Sequence, residues 1–166
     1  MKPELGIPTG SSNYIINKRI RKFEKYTPLK NKIILDLGCG DGAYALCLAN
    51  KAKMVLGIDV EKGRLKIAKS KSKGKKVNFQ LFNGLDIPFD DSYFDIVFMN
   101  EVIEHVEDEN KILSEIRRVL KNNGELIIYA PNRNFPLEGH GMKLGNIKLN
   151  FPIPFLPWLP FKFHKY

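Results

Sequence analysis

The sequence predicts an α/β fold built on a parallel, doubly wound sheet, and three features carry that expectation. Five short runs rich in β-branched and aromatic residues are almost continuously apolar, as strands covered on both faces are. Stretches with helical spacing alternate with them, and parallel pairing needs such crossovers. The first run leads directly into a glycine-rich turn, the place where open parallel sheets meet their ligands.

Along the chain, Tyr14 to Tyr26 sets Ile15, Ile16, Ile20 and Phe23 near helical spacing, with Ser11, Ser12 or Asn13 available as N-cap. The expected strands are Ile33 to Leu37, Met54 to Val60, Val77 to Phe82, Phe94 to Asn100 and Glu125 to Ala130. Helices are expected at Ala43 to Asn50, Gly63 to Ser72 and Asn110 to Leu120, the last stopped by Asn122-Asn123-Gly124. After Ala130 the character changes: Pro131, Pro136, Pro152, Pro154, Pro157 and Pro160 interrupt an aromatic-rich ending in which neither sheet nor helix is expected to continue.

A length of 166 residues with 43% hydrophobic content suits one domain, 1–166, with a core at about 30–132 and a Pro/aromatic-rich segment at 133–166 on the substrate side or acting as a lid. The ring of aromatics and prolines from Phe151 to Phe163 could line an apolar pocket or simply cover a flank of the sheet. No apolar run reaches the roughly eighteen residues of a membrane span, and the opening residues lack a signal-peptide pattern. Cys39 and Cys47 match no disulfide or metal framework, and a cytoplasmic location is expected. The net charge is +9, concentrated in Lys62, Arg64, Lys66, Lys69, Lys71, Lys73, Lys75 and Lys76. This field could attract RNA or an anionic membrane, or be the solvated face of a helix that buries Leu65, Ile67 and Ala68.

The glycine turn reads Asp36-Leu37-Gly38-Cys39-Gly40-Asp41-Gly42, and a second acid, Asp59, closes the second strand. Glycines permit a tight turn and close backbone approach, while a carboxylate at that strand end can accept hydrogen bonds from both ribose hydroxyls. Together they indicate a nucleoside ligand. Gly38-x-Gly40-x-x-Ala43 also satisfies the dinucleotide fingerprint, so a nicotinamide-dependent oxidoreductase stays open at this point.

The wider pattern narrows the choice. LDLGCGDG, GIDV, NGLDIPFDDSYFDIVFMNEVIEHV and LKNNGELIIYAPN, in that order over about residues 33 to 132, resemble the class I S-adenosylmethionine-dependent methyltransferases. The resemblance implies a Rossmann-like sheet, here without the last two strands usual in the family, and S-adenosyl-L-methionine as cofactor. It implies that Gly38, Cys39 and Gly40 meet the methionine part through their backbone and that Asp36 orients the loop or the cofactor's amino group. Asp59 would hold the ribose, Val60 pack on adenine, Asp86 accept from the adenine amino group and Asn100 line the methionine pocket. Against these roles stand plain structural ones: Asp36 and Asp86 as turn caps, and Asp41 as a helix N-cap.

Beyond the fourth strand, Glu101, Glu104 and His105 are spaced i, i+3, i+4 and share one face if the segment is helical. Two carboxylates and an imidazole suit Mg²⁺ or Mn²⁺. The pattern resembles the O-methyltransferases of ubiquinone biosynthesis and the enzymes that 2′-O-methylate small RNAs, and His140 after Pro131-Asn132 would be a further ligand in the RNA-type arrangement. Alternatively, the three have no metal and His105 is a general base or makes only a structural hydrogen bond. His164 matches no partner in the sequence. The leading expectation is O-methylation of a small or lipid-like acceptor, with a metal-dependent RNA 2′-O-methyltransferase and a catalytically silent cofactor-fold module as alternatives.

Overall fold

A computed structural model describes residues 13–130 and, for the backbone alone, four short strands between 137 and 154. The chain divides into two compact units, Gly10–Ala130 and Met1–Thr9 with Pro131–Tyr166.

The first unit runs α1 (Asn13–Glu24), β1 (Ile33–Leu37), α2 (Ala43–Leu48), β2 (Met54–Asp59), α3 (Lys62–Ser70), β3 (Val77–Leu81), β4 (Phe94–Asn100), a 3-10 turn (Ile103–His105), α4 (Glu109–Val119) and β5 (Leu120–Tyr129). All four strand pairings are parallel and the order is β3-β2-β1-β4-β5. Strand order therefore reverses between β1 and β4, the switch point beyond whose carboxyl ends such sheets bind ligands.

Two apolar layers flank the sheet. One joins Ile16, Ile20 and Phe23 of α1 to Ala45 and Leu48 of α2, Leu65 and Ala68 of α3, and Ile96 and Phe98 of β4. The other joins Ile112, Ile116 and Val119 of α4 to Leu35, Val97 and Met99, with Phe82 and Ile87 from the connection between β3 and β4. That connection contains no helix and is clamped by α4. The Arg118 guanidinium donates to the carbonyls of Ile87 (2.9 Å) and Phe89 (2.8 Å) and to Asp91, while Glu115 accepts from the Ile87 N–H at 3.0 Å and pairs with Arg118 at 2.8 Å. Asp108 caps α4 by accepting from the Lys111 N–H at 2.9 Å.

Several local expectations change. Central strands β1, β2 and β4 are largely buried, whereas the edge strands β3 and β5 are not covered on both faces: a strand at the rim of this sheet has a neighbour on one side only. Ile67 is 49% exposed rather than buried with Leu65 and Ala68, because the inner face of α3 is too narrow to reach it. Ile15 is exposed for the same reason on α1. The Asn122-Asn123-Gly124 segment lies within β5: Leu120 pairs with Phe94 and Glu125 with Ile96, so residues between them bulge, and Asn123 takes φ 65°. Asp41 is not the cap of α2, since Gly42 holds that position and Asp41 pairs with Lys71 at 2.6 Å.

In the second unit, β6 (Leu137–Glu138) pairs antiparallel with β9 (Ile153–Pro154), and β7 (Met142–Leu144) with β8 (Ile147–Leu149). The proline-rich ending thus does contain strands, contrary to expectation. They are only two or three residues long, and a proline is tolerated where so few ladder bonds are needed.

Gly42 tests the loop packing. Its φ is +82°, and an added Cβ would meet the Phe79 ring at 2.7 Å and Ala68 Cβ at 3.0 Å. Gly42→Ala is expected to cost about 1–3 kcal/mol, from left-handed backbone strain and overpacking together. Urea unfolding measures it; an unchanged midpoint would mean that neither constraint operates.

Candidate functional site

The site grows from the end of β1. Gly38 adopts φ +74°, and a Cβ there would collide with the Val102 side chain. Its N–H and that of Cys39 both donate to the Ile58 carbonyl, at 2.8 and 3.0 Å, folding the loop back over β2. Asp59, only 6% exposed, completes the fold-back: one carboxylate oxygen accepts from the Gly40 N–H and the other from the Glu61 N–H, both at 2.8 Å. Each carboxylate oxygen has a second acceptor position. Asp59 is therefore a staple of the glycine loop as well as the candidate ribose ligand.

Asp36 is 2% exposed, and its Oδ2 is the buried side-chain atom without a hydrogen-bond partner among the described residues. Burial raises its pKa to about 7, with the neighbouring Asp59 charge adding and the Ala45 N–H opposing. Burial also pushes the Cys39 thiol far up, with Asp36 and Asp59 adding. Cys39 is therefore an inert thiol whose contribution to the loop is its backbone.

Val60 is 49% exposed just past β2, and Gly84 of the β3–β4 connection approaches it so closely that a Cβ there would lie 3.6 Å from Val60 Cγ1. Asp86 is on the same connection, paired with Lys111 at 3.0 Å and accepting from Asn83 Nδ2 at 3.1 Å. Those contacts, Lys111 foremost, hold its pKa below the usual carboxylate range. Asn83, not Asp86, caps this turn, its Oδ1 accepting from the N–H groups of Leu85 and Asp86.

At the end of β4, Asn100 Oδ1 accepts from Arg19 Nη1 at 2.8 Å. The same nitrogen reaches Tyr44 Oη at 3.0 Å and Glu101 Oε1 at 3.1 Å, and the guanidinium lies 5.7 Å from the Tyr129 ring centroid. One cation thus ties α1, α2 and the ends of β4 and β5 together at the switch point. Sequence reasoning missed Arg19 and Tyr44. A signal was present: Arg19 lies on the stripe of Ile16, Ile20 and Phe23, where a charge needs a partner.

The expected shared face of Glu101, Glu104 and His105 does not form. Glu101 leaves β4 with φ 56° and turns toward Arg19, so only Glu104 and His105 belong to the 3-10 turn, where both are exposed. Among the described residues no group of three His, Cys, Asp or Glu side chains could hold a metal ion. Glu101, Glu104 and His105 as placed do not fit Mg²⁺ or Mn²⁺; His140 and His164 lie outside the described residues. The basic stretch is a solvated surface in which Lys71 pairs with Asp41 and Arg64 with Glu61. Among the described residues no helix is long and apolar enough to cross a membrane.

Comparisons with known proteins agree with this geometry. The family model described as "Methyltransferase domain" matches residues 35–128. The chain is 30% identical over 125 residues to the ubiquinone biosynthesis O-methyltransferase of Coxiella burnetii, covering 74% of this chain and 53% of that protein. It is 33% identical over 110 residues to an O-methyltransferase of Aspergillus nomiae, covering 63% and 49%. It spans about half the length of these curated relatives. A solved S-adenosylmethionine-dependent methyltransferase from Aquifex aeolicus superposes with a TM-score of 0.64 at 26% identity, covering 72% of this chain and 65% of that one. A glycine loop stapled by an acid at the switch point of a β3-β2-β1-β4-β5 sheet, and a family match over more than half of its length, mean that this chain belongs to the class I S-adenosylmethionine-dependent methyltransferases.

Proposed function

We propose that the chain works as an O-methyltransferase, moving the methyl group of S-adenosylmethionine to a hydroxyl of a small or lipid-like acceptor. The observation that carries the cofactor reading is the Asp59 staple, which holds the glycine loop by Gly40 and keeps acceptor positions beside exposed Val60. That both relatives are named O-methyltransferases supports oxygen as the atom methylated.

In this reading Asp59 accepts from the ribose hydroxyls, Val60 covers the adenine, and Asp86 faces its amino group. Asn100, oriented by Arg19, borders the methionine end together with the backbone of Gly38, Cys39 and Gly40. The cofactor supplies a methyl group already activated on sulfur, so the protein must chiefly align the acceptor and take its proton. His105, exposed on the turn after β4, is the proposed proton acceptor. No step is assigned to a metal.

Calorimetric titration with S-adenosylmethionine, S-adenosylhomocysteine and NAD tests the reading. The first two are expected to bind, and Asp59→Ala to weaken them by about 1.5–3 kcal/mol, the range for hydrogen bonds to a charged group. Tight binding of NAD, or undiminished affinity in the variant, would overturn it.

A further inference from the structure

Asp36 and Asp59 stand at the carboxyl ends of adjacent strands, β1 and β2, and face opposite solutions to the same difficulty. Asp59 satisfies both of its oxygens with backbone N–H groups. Asp36 is as deeply buried, has Asp59 as a like-charged neighbour, and among the described residues its Oδ2 has no hydrogen-bond partner. A carboxylate in that position is costly unless it is protonated or a cation arrives. Arg19, the cation tied to the end of β4, already serves Asn100, Tyr44 and Glu101.

We propose that Asp36 is a charge-recognition group that is protonated in the empty site and gives its proton to solvent when the cationic cofactor binds. The inference rests on the proposed cofactor reading and adds to it a specificity principle: the site exchanges one positive charge for another. The free protein carries the acid as COOH; the complex carries the carboxylate beside a ligand bearing ammonium and sulfonium charges, with one proton released to buffer. A neutral ligand of the same shape gains nothing from the exchange.

The groups around Asp36 set the direction. Burial comes first, the Ala45 N–H opposes it, and Asp59 on β2 repels the carboxylate, while the Cys39 thiol beside them stays protonated. On α2 the Tyr44 hydroxyl is pushed up by burial, with Arg19 opposing and Glu101 and Asp36 adding. Paired with Asp36 across the sheet are Gly57 on β2 and Phe98 on β4, neither of which carries charge. With the free-state pKa raised to about 7, the acid is mostly protonated at pH 6 and mostly ionised at pH 8. Ligand binding lowers it, so affinity rises with pH up to about 7 and levels off above.

The test is calorimetry of the whole chain with S-adenosylmethionine at pH 6 in buffers of different ionisation enthalpy, repeated from pH 5.5 to 8.5. Close to one proton released per cofactor at pH 6 is expected, with affinity falling about tenfold per pH unit below 7. Asp36→Asn, which cannot ionise, should abolish both the release and the slope, while His105→Gln should leave both in place. S-adenosylhomocysteine keeps the ammonium and lacks the sulfonium charge, so a smaller release with it identifies the sulfonium as the partner, and an equal release the ammonium. Cofactor binding with no proton release at pH 6, or the same release from Asp36→Asn, would overturn the inference alone. Absence of binding at pH 8 would overturn the cofactor reading and the inference with it.

Discussion

Truncation of Phe98 to alanine is expected to destabilise the fold by about 3–5 kcal/mol. Its side chain is 0% exposed on β4, a strand flanked on both sides by β1 and β5, so the backbone cannot move in to fill the space. Three rings surround it, from Phe23 of α1 at 5.6 Å, Tyr44 of α2 at 5.2 Å and Tyr129 of β5 at 6.2 Å between centroids. The cavity therefore opens where three elements meet. Asn100 is two residues farther along the same face, and Tyr44 is one of the Arg19 partners, so loosening of the rings should also reach the site. Urea unfolding gives the stability change and titration with S-adenosylhomocysteine the second effect. A midpoint shift worth less than about 1 kcal/mol would show that the layer collapses around the gap.

Asp36→Asn should do the reverse to the empty protein. The acid's pKa goes from 3.8 when exposed to about 7 when folded, so the folded state holds the proton more tightly than the unfolded one. A raised carboxyl pKa is a penalty that is fully present above about pH 7 and is relieved as pH falls from there toward 3.8. Removing the charge should therefore stabilise the ligand-free chain at pH 8 by up to about 4 kcal/mol. At pH 5 the gain should be much smaller. Asparagine retains an oxygen for the Ala45 N–H but brings an amide N–H₂ needing acceptors, which makes the figure an upper bound. Unfolding midpoints at pH 8 and pH 5 decide the matter: a variant less stable than the parent at pH 8 would falsify the buried-charge account. A site that is costly to the folded state when empty is also a common price of ligand recognition.

Much of this was legible in the residues. The strand ranges Ile33 to Leu37 and Phe94 to Asn100 match the structure because buried central strands carry their apolar signal without interruption. The start of β5 was not legible: Leu120 joins a strand because Phe94 waits beside it, and no local pattern of Lys121 to Gly124 encodes that pairing. The glycine loop and Asp59 stood out through spacing, but Asp59's grip on Gly40 is a distance in space rather than in sequence. The Glu101, Glu104 and His105 triad failed because the i, i+3, i+4 argument presumes a helix, and Glu101 departs from β4 in a left-handed conformation before the turn begins. The stripe of α1 marked Arg19 as needing a partner, but Asn100, 81 residues farther along the chain, could not be read from it.

The clamp from α4 onto the β3–β4 connection has a consequence for descent. Arg118 and Glu115 hold that segment chiefly by the carbonyls of Ile87 and Phe89 and the N–H of Ile87, groups every residue but proline offers in full. The exposed side chains of Leu85, Asp86 and Pro88 can be exchanged while the backbone remains moored at the same points and Ile87 stays in the core. Mutation can thus redraw what is proposed as one wall of the nucleoside crevice, changing its shape and polarity, without unfastening that wall from the scaffold.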